Sequence, residues 1–345
     1  MSRKEMPKQL LPIIGGRSLL QIAYERLDSL IPPENRLICA GRIHREIILS
    51  TLADVSEAQF IGEPVGRDTL SALALSAAII VKRDPEAVIC VFTADHIIKP
   101  EEDFRDTVDR ACKVVETTSD VLMTYGITPT EPSTGYGYLQ LGKQFRDSSW
   151  VVEEFKEKPD IAKARVYVAE GPQKYLWNSG MFVWKARVFL HCVRTYEPEV
   201  YSGVTSIAEA WETNGAIIDS VYPELKKISV DFAIMEPASR DRAITVAALP
   251  MQLDWLDIGS WPAYGKSLAA DARGNMVAAE KSILLDCNDT VIASDDPNHL
   301  VAAIGCDEMV IIHTGNSTLV CPKKDAEKIK NLHEMVSKKF GSDFF

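Results

Sequence analysis

Ala87-Val88-Ile89-Cys90-Val91-Phe92-Thr93-Ala94-Asp95-His96 is the stretch of sequence that decides the fold. Its first six residues are apolar, as in a buried strand, and the run ends in a carboxylate at Asp95. Ligands of open α/β sheets bind at the carboxyl ends of the strands, so this stretch predicts a metal or phosphate site at Asp95. A strand followed by Asp in a turn is also common in proteins that have no such site. The prediction therefore depends on what the rest of the chain places beside it.

Helical and strand patterns alternate around this stretch, from residue 17 to about residue 125. Apolar residues at helical spacing predict helices, and short apolar runs between them predict strands. The helices are expected at 19–31, 43–52, 69–81 and 101–115, and the strands at 37–40, 59–61, 87–92 and 121–125. Ser18 is placed to cap the first helix. The alternation predicts an α/β, Rossmann-like fold with a mixed, mostly parallel sheet covered by helices on both faces.

The remainder of the chain is less regular and then changes in character. Strands are expected at 135–139, 151–155, 176–184 and 243–249. After residue 270, five short apolar runs recur with turns between them, which is typical of a small all-β module. They are followed by an amphipathic segment at 325–336 that predicts a terminal helix. We therefore expect one domain over residues 1–270 and a small β module with a terminal helix over 271–345.

Composition excludes several classes of protein. The chain has 345 residues, of which 46% are hydrophobic and 25% charged, as in ordinary globular proteins. Its net charge of −11 argues against nonspecific binding of nucleic acid, because no excess of Lys and Arg is available to neutralise a phosphate backbone. The seven Cys form no CxxC pair and lie mostly in apolar runs, as in a reduced cytoplasmic protein. No signal peptide and no apolar run of membrane-spanning length is seen, so a cytoplasmic protein without a membrane partner is expected.

Six further segments carry residues with the chemistry of a phosphate or sugar site. They are Pro7-Lys8-Gln9, Glu63-Pro64-Val65-Gly66-Arg67-Asp68-Thr69, Thr134-Gly135-Tyr136-Gly137-Tyr138, Glu157-Lys158-Pro159, Trp177-Asn178-Ser179-Gly180-Met181 and Trp255-Leu256-Asp257-Ile258-Gly259-Ser260-Trp261. Each has a purely structural alternative when it is taken alone. A charged terminus, a helix cap, a hairpin, a surface turn, a β-bulge or a packed aromatic corner would show the same residues. Their combination is more informative than any single member.

Together with Ala94-Asp95-His96, these segments occur in the order seen in sugar-nucleotide pyrophosphorylases. The chain most resembles the mannose-1-phosphate guanylyltransferases, from residue 2 to about 265, and more loosely in its tail, where some members carry a short β-helical module. The resemblance implies that GTP and mannose 1-phosphate give GDP-mannose and pyrophosphate. The sugar phosphate attacks the α-phosphorus in line, so positioning and charge neutralisation supply most of the catalysis.

The resemblance also implies roles for individual residues. Asp95 and Asp257 would hold Mg²⁺, a hard cation suited to carboxylate oxygens. Lys8 would face the nucleotide phosphates, and Lys158 would hold the sugar phosphate. Two further groups are implied, one near the nucleotide (Glu63, Arg67, Asp68 and Thr69) and one near the mannose (Tyr136, Gly137, Glu154 and Asn178). The segment Ser229 to Glu236 also resembles a family segment, although its helical spacing is equally consistent with packing.

Two departures from the family pattern lead to further expectations. Asp68 stands where the family has Asn, and a carboxylate accepts hydrogen bonds but cannot donate one to the guanine edge, which leaves the choice of base open. The family also begins with an apolar strand and a Gly-Gly-x-Gly-x-Arg loop that cradles the triphosphate, whereas here Gly15-Gly16 looks like a turn. The expectation is a reading frame that starts further upstream, with weak or no activity for this exact chain.

Other functions are also compatible with the sequence. One is a pyrophosphorylase for a different nucleotide or sugar 1-phosphate. Another is a noncatalytic regulatory homologue that binds nucleotide sugars, which the missing loop favours and the retained Asp95, Asp257, Lys8 and Lys158 disfavour. A homo-oligomer is possible, but its state cannot be read from the sequence. An added isomerase domain is not expected, because about 75 residues follow Ala270 without a cluster of His.

Overall fold

The computed structural model describes residues 7–12 and 14–341, which pack into two compact units. Unit A contains the described part of residues 1–22 together with 94–97 and 255–341, and unit B contains residues 23–93 and 98–254. The segments of unit A are thus far apart in sequence and are brought together by folding. This packing does not test where a domain ends along the chain, so the boundary near residue 270 stays a prediction. Among the described residues, no helix is long and apolar enough to span a membrane.

Helices and strands alternate along the chain. The strands are β1 (Ile38–Gly41), β2 (Phe60–Glu63), β3 (Val88–Val91), β4 (His96–Lys99), β5 (Val121–Ile127), β6 (Tyr138–Gln144), β7 (Trp150–Lys156), β8 (Tyr175–Lys185), β9 (Thr245–Met251), β10 (Asp254–Asp257), β11 (Met276–Ala278), β12 (Lys281–Leu285), β13 (Val291–Ser294), β14 (Leu300–Ile304), β15 (Met309–Thr314) and β16 (Ser317–Pro322). The α-helices are α1 (Leu19–Glu25), α2 (Arg45–Thr51), α3 (Asp68–Arg83), α4 (Glu101–Glu116), α5 (Ile161–Glu170), α6 (Ala186–Tyr196), α7 (Pro198–Ala210), α8 (Ile217–Val221), α9 (Glu236–Arg240), α10 (Trp261–Lys266) and α11 (Ile329–Phe340).

A six-stranded sheet in the order β3-β8-β5-β9-β7-β6 forms the centre of unit B. Strands β3 and β5 each pair antiparallel with β8, and β5 pairs in parallel with β9, so β3, β5 and β9 run in one direction. Strands β6 and β7 form an antiparallel hairpin, and β7 pairs antiparallel with β9. The predicted mixed sheet is confirmed. Parallel pairing is scarcer than predicted, because the long strand β8 returns between β3 and β5.

The core of unit B explains why its apolar runs fold in this way. Every residue of β5 is buried, as expected for a central strand with apolar side chains on both faces. Helices α3, α6 and α7 pack against one another and present small or branched side chains. Residues of these helices with no exposed surface include Ala74, Leu75, Phe189, Val193 and Val204. The Ala-rich face of α3 lets the helices approach closely.

Among the described residues, the parallel pair β1–β2 and the strand β3 each have an edge without a strand partner. Strand β1 pairs with β2 in a separate two-stranded sheet, and β3 ends the six-stranded sheet, where β8 is its one described partner. All four residues of β3 are apolar, yet each is only partly buried. The residues of β1 are likewise partly buried. Strands with apolar side chains on both faces usually lie inside a sheet, so these edges are unusual.

The small β module expected after residue 270 is confirmed in unit A. Strands β11, β13 and β15 pair in parallel, β16 joins β15 antiparallel, and β12 pairs with β14 in parallel. Successive strands of the same sheet stack in register, as in a short β-helix. The side chains that fill its interior include Ile292, Val301 and Ala303. On the opposite side of the β11–β13–β15 sheet, Val291, Val310 and Ile312 pack with Leu19, Ile258 and Tyr264.

Some predicted boundaries moved when local contacts outweighed the apolar pattern. Helix α1 ends at Glu25, six residues earlier than predicted, and is followed by turns. Ser18 caps it as predicted, since its hydroxyl accepts a hydrogen bond from the Gln21 N–H at 3.1 Å. The strand predicted to start at Gly135 starts at Tyr138, because the preceding residues form a turn in which Ser133 Oγ accepts from the Gly135 N–H. The predicted terminal helix is shifted to Ile329–Phe340.

Candidate active site

Two carboxylates from distant parts of the sequence meet in unit A. Asp95 lies in the segment 94–97, and the N–H of Ile258 donates a hydrogen bond to its backbone carbonyl at 2.9 Å. This bond sets Asp257 beside Asp95. One ligand atom from each of Asp95, His96 and Asp257 lies within 4.8 Å of the others. The end of the strand that was identified in the sequence therefore belongs to a cluster whose ligand atoms are spaced closely enough to bind one metal ion.

Lys8 belongs to the same cluster. Its Nζ lies 3.0 Å from Asp95 Oδ2 and donates a hydrogen bond to the backbone carbonyl of Ile258 at 2.7 Å. The ammonium group is therefore fixed by two contacts, and its side chain is only 14% exposed. No pattern of neighbouring residues predicted a structural role for a lysine so near the start of the chain. Its implied contact with the nucleotide phosphates stays a prediction.

The electrostatics of the cluster favour a cation. Burial, and then the nearby charge of Asp95, raise the pKa of Asp257 to about 6, while Lys8 acts in the opposite direction. Two carboxylates and one ammonium leave the cluster one negative charge in excess when both acids are ionised. A divalent cation would relieve this repulsion, and carboxylate oxygens are the ligands that Mg²⁺ prefers. The residues present thus fit a divalent metal ion.

His96 is better suited to orient Asp95 than to bind the metal. Its Nδ1 lies 3.2 Å from the indole Nε1 of Trp255, which can only donate a hydrogen bond. The neutral imidazole must then carry its proton on Nε2, which lies 3.8 Å from Asp95 Oδ1. A protonated nitrogen has no lone pair for a metal. Asp95 and Asp257 are then the two side chains of the cluster that are best suited to a metal ion.

A second group of polar side chains surrounds Asn178 in unit B. The Asn178 Oδ1 accepts a hydrogen bond from Thr124 Oγ1 at 2.8 Å, and its Nδ2 donates to Asp231 Oδ1 at 2.9 Å. Its backbone N–H donates to the carbonyl of Gly137 at 2.8 Å. These bonds fix the amide on strand β8.

The Asn-Ser-Gly interruption of the apolar pattern does not interrupt strand β8, which is continuous. The pairing register shifts opposite it in β5, and Gly180 has a left-handed backbone conformation (φ +69°).

Glu157 and Lys158 lie in the same group. Lys158 Nζ lies 2.6 Å from Glu157 Oε1, and this bond, with weaker contributions from the charges of Asp231 and Asp68, raises the pKa of Lys158. A Cβ built on Gly137 would lie 2.6 Å from Glu157 Oε2, so the carboxylate packs directly on the glycine backbone. Burial, followed by the charge of Glu157, raises the pKa of Asp231 to about 6. Two acids thus share one exposed lysine.

Glu154 has different contacts from those implied by the resemblance. Its carboxylate pairs with Lys156 and lies 3.6 Å from Arg240, and no contact described for it reaches Asn178 or Gly137. Glu154 lies within strand β7, on the same side as Lys156, whereas Glu157 follows the end of the strand. Glu157, which the motif Glu-Lys-Pro contains, is the acid that lies beside Gly137.

Aromatic rings border this group. Tyr136 lies against Trp177 with ring centroids 5.0 Å apart. The Trp177 ring is 5% exposed, and its buried Nε1 has no hydrogen-bond partner among the described residues. An indole N–H without a partner is costly to bury and suited to a ligand hydroxyl. Glu157 and Trp177 lie within two of the segments identified in the sequence but were given no individual role there, and Thr124 lies in none of those segments.

The residues predicted near the nucleotide lie at the start of helix α3. Glu63 Oε1 accepts a hydrogen bond from the Tyr222 hydroxyl at 2.6 Å, and burial raises the pKa of Glu63. Thr69 Oγ1 accepts from the Val230 N–H at 2.9 Å. The buried Nε of Arg67 has no hydrogen-bond partner within the described part of the chain. Hydrogen bonds of Glu63 and Thr69 thus connect this segment to residues 222–230. The Nε–H of Arg67 is a donor without an acceptor among the described residues.

Asp68 adopts a left-handed backbone conformation, with φ +65°. Asn and Asp tolerate this region better than other non-glycine residues. Its Oδ1 accepts a hydrogen bond from the N–H of Thr69 at 2.8 Å. The carboxylate therefore stabilises its own turn, which explains why Asp can replace Asn at this position.

Comparison with known proteins gives the same assignment over most of the chain. The nucleotidyl transferase family model matches residues 3–274, and the model of the mannose-phosphate isomerase/GMP-like β-helix domain matches residues 280–338. A mannose-1-phosphate guanylyltransferase of Klebsiella pneumoniae is 32% identical over 100% of this chain and 72% of its own length. One of Escherichia coli is 32% identical over 97% of this chain and 70% of its own length.

The solved structures agree with the sequence relatives. A crystal structure from Thermus thermophilus, described as a mannose-1-phosphate geranyltransferase, superposes with a TM-score of 0.85 at 28% identity, covering 97% of this chain and 94% of that chain. Enzymes of the matched type generally use a divalent metal ion. The chain belongs to the nucleotidyl transferase family, as a member of its mannose-1-phosphate guanylyltransferases.

Proposed function

We propose that this chain transfers GMP from GTP to mannose 1-phosphate with Asp95 and Asp257 as ligands of Mg²⁺. In the reaction, an oxygen of the sugar phosphate attacks the α-phosphorus of GTP. The bond from that phosphorus to the bridging oxygen breaks, and pyrophosphate leaves with the electron pair. No covalent enzyme intermediate is needed, so the protein has to position two anions and neutralise their charge.

The convergence of Asp95, Asp257 and Lys8 carries this proposal. Two carboxylates that repel each other are suited to a cation, and Lys8 supplies a fixed positive charge for the nucleotide phosphates. When bound, the metal ion would neutralise charge on the phosphate oxygens. His96 would act on Asp95 electrostatically, since its Nε2 lies 3.8 Å from Asp95 Oδ1, beyond hydrogen-bond distance. These roles are proposals for named side chains.

The group around Asn178 is proposed as the sugar site. Lys158 would pair with the phosphate of mannose 1-phosphate. Gly137 leaves room for the Glu157 carboxylate, and this carboxylate and the Trp177 N–H are suited to the sugar hydroxyls. Tyr136 would cover one face of the ring. Glu154 would act through Arg240 and Lys156, at a distance from the sugar.

The segment Glu63 to Thr69 is proposed to bind the nucleoside. Arg67 has a buried donor with no partner among the described residues, and Glu63 is a buried acceptor. Because Asp68 is committed to its own turn, it would not read the guanine edge, and the base must be selected by other groups. Another nucleotide or sugar 1-phosphate therefore remains the alternative substrate.

Pyrophosphate release in a substrate panel tests the proposal. GTP, ATP, UTP and dTTP are each combined with mannose 1-phosphate, glucose 1-phosphate and galactose 1-phosphate, with Mg²⁺ present. The proposal expects the highest kcat/KM for GTP with mannose 1-phosphate. A different best pair would change the substrate assignment, and binding of GDP-mannose without turnover of any pair would favour the regulatory alternative.

A further inference from the structure

Two cysteines that the proposed reaction does not use lie in contact in unit B. The Sγ atoms of Cys90, on β3, and Cys112, on α4, are 3.3 Å apart and share a hydrogen bond. Both cysteines are free and partly exposed, so a small polar reagent can reach them. An S–S bond is about 2.05 Å long, which means that the two sulfur atoms have to approach by roughly 1.2 Å to form one.

The fold itself brings the two thiols together. Side chains alternate along a strand, and Ile89 and Val91 of β3 pack against the main core of unit B. Cys90 therefore points to the other face of the sheet. Helix α4, which carries Cys112, packs on β3 and on the neighbouring strands β8 and β5. The contact between the sulfur atoms thus follows from the packing of this helix on the sheet.

The hydrogen bond gives the two thiols different roles. It lowers the pKa of Cys112, because the Cys90 thiol donates to the Cys112 thiolate, while burial acts in the opposite direction. The same bond, together with burial, raises the pKa of Cys90. A thiolate is the nucleophile in thiol oxidation. Cys112 is therefore suited to react first, and Cys90 is suited to react with the product.

We propose that Cys90 and Cys112 form an oxidation site, at which hydrogen peroxide converts the two thiols into a disulfide. The Cys112 thiolate attacks one peroxide oxygen, the O–O bond breaks, and the released hydroxide takes up a proton to give water. Cys112 is then a sulfenic acid. The Cys90 sulfur attacks the Cys112 sulfur, the S–O bond breaks, and the leaving hydroxide takes the Cys90 proton to give a second water. The two sulfur atoms are oxidised, and the peroxide is reduced.

The disulfide would enclose the segment that carries Asp95. Cys90 and Cys112 are 22 residues apart in sequence, and Asp95 and His96 lie between them. A cross-link restricts the unfolded chain and so stabilises the folded protein. It also limits local unfolding of the enclosed segment, because both of its ends are joined covalently. The oxidised protein should therefore hold the Asp95 segment in place at temperatures at which the reduced protein unfolds.

Peptide mapping of the full chain tests the proposal first. The protein is treated with a small excess of hydrogen peroxide, the remaining thiols are blocked with N-ethylmaleimide, and tryptic peptides are analysed without reduction. The expected product joins peptide 84–105 to peptide 111–113, with a mass about 2 Da below their sum because two thiol hydrogens are lost. Dithiothreitol should separate the two peptides again. This measurement needs no variant, so it does not depend on how a substitution folds.

Variants and thermal unfolding complete the test. Cys112→Ser should abolish the cross-link, whereas Cys321→Ser, at a partly exposed cysteine of β16, is the matched control and should not change its yield. Oxidation should raise the melting temperature of the unsubstituted chain by at least about 3 °C, and that of Cys112→Ser not at all.

Three results would overturn the proposal. The first is oxidation of Cys112 to a sulfinic acid without a link to Cys90. The second is a disulfide only between Cys287 and Cys306, a second pair whose thiols share a hydrogen bond. The third is a cross-linked protein whose melting temperature equals that of the reduced protein.

Discussion

Asp257 shares its cluster with Asp95, whose carboxylate lies 3.0 Å from the ammonium of Lys8. The positive charge of Lys8 offsets the negative charge of only one of the two carboxylates. The second negative charge destabilises the metal-free protein, and a bound cation would offset it. Removal of this charge is therefore expected to lower activity but to raise the stability of the metal-free protein.

Replacing Asp257 with Asn should abolish catalysis and stabilise the metal-free protein. Loss of a charged ligand should lower kcat/KM by more than about 100-fold. Because the pKa of Asp257 is raised to about 6, ionisation at pH 7.5 destabilises the fold, and removing the charge should add about 1 to 2 kcal/mol to the free energy of unfolding. Thermal unfolding in EDTA measures the second effect. Asp254→Asn, at an exposed neighbouring acid, is the control. Reduced stability of the Asp257 variant in EDTA would contradict the electrostatic account.

Asp231 predicts how stability depends on pH. Its folded pKa of about 6 lies above the ordinary value of 3.8, so the folded state binds the proton more tightly than the unfolded state. Stability should therefore fall as pH rises from about 4 to about 6, by up to about 3 kcal/mol for this group. In Asp231→Asn, that part of the slope should disappear. Urea unfolding at a series of pH values measures it. An unchanged slope would show that Asp231 does not titrate in this range.

Thr124 should be required to hold Asn178. Its buried hydroxyl donates to Asn178 Oδ1 at 2.8 Å and lies 3.0 Å from the carbonyl of Met181. Thr124→Val keeps the shape but leaves a buried acceptor unpaired, which should cost about 1 to 3 kcal/mol. The KM for mannose 1-phosphate should also rise. Thr107→Val, at an exposed helix position, should change stability by less than about 0.5 kcal/mol. Equal effects at the two sites would contradict the proposed role.

Gly126 should tolerate no side chain. A Cβ at this position would lie 2.4 Å from Leu176 Cδ1 and 2.9 Å from its Cβ. Gly126→Ala should therefore destabilise the protein by about 1 to 3 kcal/mol, through overpacking between β5 and β8. Gly215→Ala, where no atom lies within 4 Å, is the matched control for loss of a glycine. In a Leu176→Ala background the same Gly126→Ala change should cost less free energy of unfolding than in the unsubstituted chain, which a double-mutant cycle by chemical denaturation measures. An equal cost in both backgrounds would indicate that backbone conformation, and not the clash, is limiting.

The sequence predicted local features better than long-range ones. The strand ending near Asp95 and the capping of α1 by Ser18 follow from patterns of neighbouring residues, and both are observed. The direction of β8 could not be predicted, because strand pairing depends on contacts between distant segments. For the same reason, the proximity of Asp257 to Asp95 came from family resemblance.

The roles of individual side chains were the hardest to predict. His96 adjoins Asp95 in sequence, but its orienting role depends on the Trp255 indole, which is distant along the chain. Glu154 lies within β7 and Glu157 follows its end, and that difference became decisive only when the bounds of the strand were known. Asp231 lay in a segment whose helical spacing was equally consistent with packing.

One edge of β3 has no strand partner within residues 7–12 and 14–341, and this has a consequence for handling the protein. Val88 to Val91 offer an uncharged ladder of backbone donors and acceptors flanked by apolar side chains, and no Lys or Pro interrupts it. Such a ladder is a template for strand addition by another chain. Aggregation of this protein should therefore begin at β3, by intermolecular growth of the sheet, before the core of unit B has unfolded.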